Sequence, residues 1–248
     1  FSQIGTEEVS NGNFSQEGVE QITNGSFDTD TNWTKGTGWS ISGGSANCDG
    51  TQSGNSDLRQ QNGVLGASID FVVGKTYKVN FDIVVTSGAI TYIEVASGFD
   101  NTDITTSGNH TTYITAVSTN DRFTIAANPD FIGSIDNVSV KEVGQDWDLT
   151  NGATINNIGL NIDYNLGNGS TIQTNVFTIG KTYKVQVNVD DNSTGVARIG
   201  LGLSPVTLTN GLNTFYLEAV GTGIEIRNHV DFIGSITNIS VKEVGQDW

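Results

Sequence analysis

Two histidines, one cysteine and 27 acidic side chains are the groups with which this 248-residue chain would have to do acid–base or nucleophilic chemistry. His110 and His229 sit in unrelated stretches. Neither belongs to a G-x-S-x-G or H-E-x-x-H string, the spacings that set a nucleophile on a sharp turn or two imidazoles on one helix face. Cys48 has no defined base beside it, and a single thiol excludes both an intrachain disulfide and a Cys-based zinc site. The acids are numerous, but a glycosidase pair is defined by a separation of about 5 to 10 Å in the fold, which spacing along the chain does not specify. Asp28, Asp30 and Asn32 begin a D-x-D-x-N string of the EF-hand kind. Trp33 then occupies the glycine position and Trp39 that of the bidentate acid, so the string is expected to be a solvated loop. No enzymatic activity is expected.

Charge narrows the partners. Against 27 Asp and Glu stand 11 Lys and Arg, a formal charge of −16. Such a surface repels nucleic-acid phosphate and gains nothing from anionic lipid. No apolar run approaches the ~18 residues of a membrane span. Neither nucleic-acid binding nor membrane insertion is expected. The chain begins at Phe1 and contains no methionine, as expected of a processed piece or a fragment of something longer.

The elements that must position any site repeat. GKTYKV occurs at 74–79 and 180–185, DFIGSI at 130–135 and 231–236, and VKEVGQDW at 140–147 and 241–248. Two copies of one domain follow. Trp39, Trp147 and Trp248 fall at one register, since Trp39-Ser-Ile-Ser-Gly-Gly matches Trp147-Asp-Leu-Thr-Asn-Gly, and they are expected to be structural anchors. A shorter repeat precedes the first copy: FSQIGTEEVSNGN (1–13) is followed by FSQEGVEQITNGS (14–26) and Phe27. The opening phrase thus stands twice before the first copy and lacks a full equivalent before the second. Residues 9–14 are expected to be a spare strand, and pairing in trans would close the open edge that a missing strand leaves.

Alternation indicates strands. Tyr77, Val79, Phe81, Ile83 and Val85 share one face, and Tyr183, Val185, Val187 and Val189 repeat the pattern. With 31 Gly, 2 Pro and no amphipathic helix, the chain is expected to be all-β: two tandem β-sandwich domains of the jelly-roll kind. The expected division is an N-terminal segment at 1–21 with the duplicated first strand, one jelly roll at 22–143 and a second at 144–248.

ITNGSF, Gly38-Trp39, GKTYKVNFDI and SIDNVSVKEV together resemble the carbohydrate-binding-module type of jelly roll, and also tandem modules in tail-fibre, head-fibre and other virion proteins of bacteriophages. The likeness covers 22–143 well and 147–248 less well. It implies a structural Ca²⁺ in the first domain, held near Asn24, Gly25 and Ser26 together with Asp136; the second copy has Thr237 in the aspartate's place. It also implies sugar binding by aromatic platforms with amide and carboxylate partners on the face opposite the core.

With the GKTYKV strings aligned, Tyr92 matches Arg198 and Glu94 matches Gly200, while the apolar Ile93 and Val95 match Ile199 and Leu201. The inward side chains persist and the outward ones change. Tyr92, Glu94, Arg59, Gln60 and Gln61 form the candidate ligand cluster, joined by Trp33, an aromatic in a Thr/Asn/Asp loop outside the tryptophan register. The function expected is attachment: a non-enzymatic virion or extracellular protein that binds glycans or a cell-surface receptor and assembles with other virion or fibre subunits as a homo-oligomer. Its alternatives are a purely structural fibre, decoration or filament subunit, and the accessory modules of a polysaccharide-degrading enzyme.

Overall fold

The computed structural model describes residues 4–150, 152–190 and 193–245; Trp248 of the tryptophan register lies outside the described residues. These residues are almost entirely strand, and a three-residue 3-10 turn, Tyr164–Leu166, is the only helical element among them. The chain divides into two compact units, Gly18–Val143 and Phe1–Glu17 with Gly144–Trp248. The N-terminal segment is therefore not a separate piece. Residues 4–17 join the 144–248 repeat, and residues 18–21 join the first repeat.

In the 18–143 unit two sheets enclose the core. One runs Gly108–Thr115, Thr76–Ser87, Ile132–Val143, Ala46–Asp49, Trp39–Ile41, with Glu17–Glu20 also on Ile132–Val143. The other runs Thr34–Lys35, Ser56–Gln61, Arg122–Ala127, Ile90–Val95, Gly98–Asp100. Val79, Phe81, Leu58, Ile93, Phe123, Ile125, Phe131 and Val140 all point into the space between and are buried. Each fully buried side chain of this kind contributes roughly 1.5–3 kcal/mol.

The GKTYKV string sits alike in both units. Gly74 and Gly180 turn with φ of 84° and 83°, a conformation that glycine adopts without steric cost. The tyrosine hydroxyls then accept the backbone N–H of Val72 (2.8 Å) and Thr178 (2.9 Å). Burial pushes the Tyr77 phenol up to about 12.

The 144–248 repeat differs in its closing strand. The sequence predicts two separate strands there; instead Ile224–Val244 is one strand of 21 residues. Its first part pairs with Ser170–Gln173 and Thr194–Leu201, and its second with Leu160–Asp163 and Thr182–Val189. In the first copy that strand is interrupted, and Arg122–Ala127 and Ile132–Val143 belong to different sheets.

The opening phrases are not strands. Val9–Phe14 is a turn that comes after the short strand Ile4–Glu7, and Ile22–Phe27 is a turn that comes after Glu17–Glu20. Asn11 and Phe14 have φ of 47° and 61°, and Asn24 and Phe27 have 54° and 52°. Positive φ is tolerated by Asn and uncommon for a ring residue, and burial of both rings among aromatic partners compensates for it.

Each segment then docks by one set of contacts. Glu20 accepts the N–H of Val140 and the hydroxyl of Ser139; Glu7 accepts those of Val241 and Ser240. Val138 N–H donates to Gly25 O and Ile239 N–H to Gly12 O, each at 2.9 Å. A side chain at either glycine would place Cβ 2.0 Å from the carbonyl oxygen of that same partner. Gln60 brackets the backbone of Thr23 as Gln173 brackets that of Ser10. Residues 4–14 thus close the 144–248 repeat within the same chain, as a short strand and a turn where the sequence predicts a spare strand at 9–14.

The tryptophans obey the same logic. Trp33 donates its indole N–H to Asn24 O (2.9 Å) and packs on Phe27 at 5.0 Å. Trp147 donates to Asn11 O (3.1 Å) and packs on Phe14 at 5.2 Å. The structural counterpart of Trp147 is therefore Trp33. Trp39 instead donates to Ser56 O and packs against Phe131 at 5.9 Å with the rings tilted.

Candidate functional site

The outer face of the sheet that contains Ser56–Gln61 collects the polar and aromatic residues. Because side chains alternate along a strand, Asp57, Arg59 and Gln61 share that face. The pairing carries it across the sheet: Arg59 stands opposite Thr124 and Thr124 opposite Glu94, while Asp57 stands opposite Ala126 and Ala126 opposite Tyr92. Arg122, opposite Gln61, and Phe99, opposite Glu94, complete it.

A charged lock lies at the centre. Glu94 is buried, accepts both Nε and Nη2 of Arg122 in a two-point ion pair, and takes the hydroxyl of Thr124 at 3.0 Å. The carboxylate holds the Arg122 guanidinium even more firmly protonated, against the cost of burial. Beside it Tyr92 donates its hydroxyl to Asp57 Oδ1 at 3.3 Å. Burial first, then the Asp57 charge, raises the Tyr92 phenol above its ordinary value. The ring of Phe99, 50% exposed, meets the Tyr92 ring edge to face at 5.7 Å and 74°.

Adjoining these residues is a polar cleft of about 520 Å³ between Thr34–Thr37 and Gln52–Arg59. Asp57 belongs to both the cleft and the ring pair. Lys35 on its wall is tied to Asp30. Rings that offer a flat apolar surface beside fixed donors and acceptors suit a ligand with alternating C–H and O–H faces.

Of the residues singled out from the sequence, Tyr92, Glu94, Arg59 and Gln61 are brought to this face. Glu94 reaches it with its carboxylate buried under Arg122, so it shapes the site and is closed to direct ligand contact. Two others are corrected. Gln60 is fully buried on the inward side, where it holds Thr23. Trp33 is 1% exposed and offers no ring to a ligand, because its indole is committed to Asn24 and to the core. Sequence reasoning missed Phe99, Arg122, Thr124 and Asp57. The alternation of 122–127 marks Arg122 and Thr124 as outward, and Phe99 comes one residue after the Ala96-Ser97 turn.

The residues named for calcium take part in hydrogen bonds in this structure. Asn24 O accepts Trp33, Asn24 Oδ1 accepts Thr29 N–H, Gly25 O accepts Val138 N–H, and Ser26 donates to Asp28. Asp136 accepts the N–H of Asn137 and lines a different depression with Asp82 and Asn109. No group of three or more His, Cys, Asp or Glu suited to a metal occurs among the described residues. His110 stacks on Phe81 at 6.0 Å with Nε2 2.9 Å from Thr106 O, and Cys48 is buried.

The second copy keeps the frame and loses the site. Ile172 faces Glu225, which faces Gly200, where the first copy has Arg59, Thr124 and Glu94; Arg227 faces Arg198 in place of Ala126 and Tyr92.

No protein-family model matches the chain. No curated protein matches it. Among solved structures, the N-terminal CBM22-1-CBM22-2 tandem domain from Paenibacillus barcinonensis Xyn10C is similar over 95% of this chain and 100% of that one, at 9% identity and a TM-score of 0.37. A likeness of that degree bears on neither site nor ligand.

Proposed function

We propose that the 18–143 unit is a non-enzymatic glycan-binding module and that the chain serves attachment in a virion or extracellular setting. The observation that carries this is the Tyr92–Phe99 ring pair beside the Glu94–Arg122 lock and the polar cleft. Sugar rings stack on aromatic faces while their hydroxyls take hydrogen bonds from fixed polar groups, and this face supplies both. Arg59, at the rim of the cleft, suits a carboxylate- or sulfate-bearing sugar. A glycan array probed with the full chain tests the reading, with Phe99→Ala and Arg59→Ala beside it. Selective binding lost in Phe99→Ala supports it, and binding unchanged in both variants, or none by the full chain, counts against it.

One observation favours a second reading. The face of the 144–248 unit that corresponds to the site carries Arg198 and Gly200 in place of Tyr92 and Glu94. A purely architectural fibre or filament subunit needs rings on neither copy. Absence of binding across the array would favour that reading.

A further inference from the structure

We propose that the groove which the 144–248 repeat builds around residues 4–14 is a docking surface for the same segment of a second copy of this chain. The groove is specific. It reads Glu7 through Ser240 and Val241, Ser10 through Gln173, Asn11 through the Trp147 indole and Gly12 through Ile239, and it buries the Phe14 ring against Trp147. Every one of these partners lies beyond residue 144. The contacts are made across 136 residues of sequence at Asn11–Trp147 and 234 at Glu7–Val241.

The polypeptide that joins the segment to its groove first builds the whole 18–143 unit, so the connection contributes none of the recognition. A groove that recognises side chains and backbone alone takes the segment equally well from another chain. The first copy supplies an independent precedent for the recognition: residues 20–27 fill its groove with the same contacts, residue for residue. Exchange of an identical element gains and loses the same interactions, so tethering decides the balance. The tethered segment wins at low concentration and the exchanged form grows with protein concentration, most readily when chains fold together.

The test uses full-length chain. Ile4 and Val244 are direct partners across the strand pair, within the Cα separation that a disulfide spans. Ile4→Cys and Val244→Cys are made in separate chains, refolded together over a hundredfold range of concentration and then oxidised; the double variant in one chain reports the cis closure. The expected result is a disulfide-linked dimer with one chain of each kind, in a proportion that rises with concentration. Monomer alone at every concentration overturns the proposal. A second readout does not depend on disulfide geometry. A labelled peptide of residues 1–16, present in excess while the full chain refolds, is expected to be retained, and the same peptide with Gly12→Ala to be retained at least tenfold less. No retention, or equal retention of both peptides, overturns it.

Discussion

The indole of Trp147 donates to the carbonyl of Asn11, 136 residues earlier, as the indole of Trp33 donates to that of Asn24, nine residues earlier. One bond is local and the other spans most of the chain, yet the surroundings match. Trp33→Ala and Trp147→Ala should therefore destabilise by similar amounts, about 3–5 kcal/mol each, in different units. Calorimetry that resolves two transitions should show each variant lowering only its own.

Gly12 and Gly25 have no room for a methyl group, since each Cβ would meet a backbone oxygen at 2.0 Å. Backbone cannot swing aside as a side-chain tip does. Gly12→Ala and Gly25→Ala are expected to cost roughly 1–3 kcal/mol or more, as overpacking against rigid structure does. Gly54, with nothing within 4 Å of its Cβ position, is the control: Gly54→Ala should leave the melting temperature within about a degree or two.

Arg122→Met would leave the Glu94 carboxylate buried without its ion pair. Breaking such a pair costs about 3–5 kcal/mol, and the partial exposure of Arg122 places this case near 3. Arg122→Met with Glu94→Gln should cost less than the sum of the single changes. Additive losses in urea titration would show that the two residues are not coupled.

Tyr77 gives the 18–143 unit an alkaline limit. Its phenol ionises at about 12 when folded and near 10 when unfolded. The unfolded state therefore releases its proton first, and the stabilisation present below pH ~10 is lost as the pH rises through 12. Tyr77→Phe should be less stable at neutral pH, since Val72 N–H loses its acceptor, and should lose less on going from pH 9 to pH 11. Parallel pH profiles for the two proteins would contradict this.

Much of the frame was legible because it is local. The alternation of 77–85 and the turn glycine before it specify a strand and its inward face from neighbouring residues alone. The Tyr92–Glu94 side of the site came from that alternation too. The tryptophan register misled for a physical reason: the turn-like residues after Trp39 and Trp147 are alike, whereas the partners of the indoles are backbone carbonyls elsewhere in the chain. The 13-residue repeat held the missing clue, since an Asn-Gly turn ending in a phenylalanine in each half calls for one indole apiece. Gln60 shows the other limit. Its face is fixed by the pleat, and its polarity suggested solvent, yet its amide is spent on Thr23.

The order in which the chain is made gives the Glu7–Val241 contact a temporal side. Residue 7 leaves the ribosome 234 residues ahead of residue 241, and at roughly 5–20 residues per second the wait between them is on the order of tens of seconds. Through that interval the leading segment is complete, unpaired and attached to a polysome, where the neighbouring chains ahead of it are already finishing their grooves. Synthesis on a crowded message thus places a free segment near another chain's finished partner before its own exists.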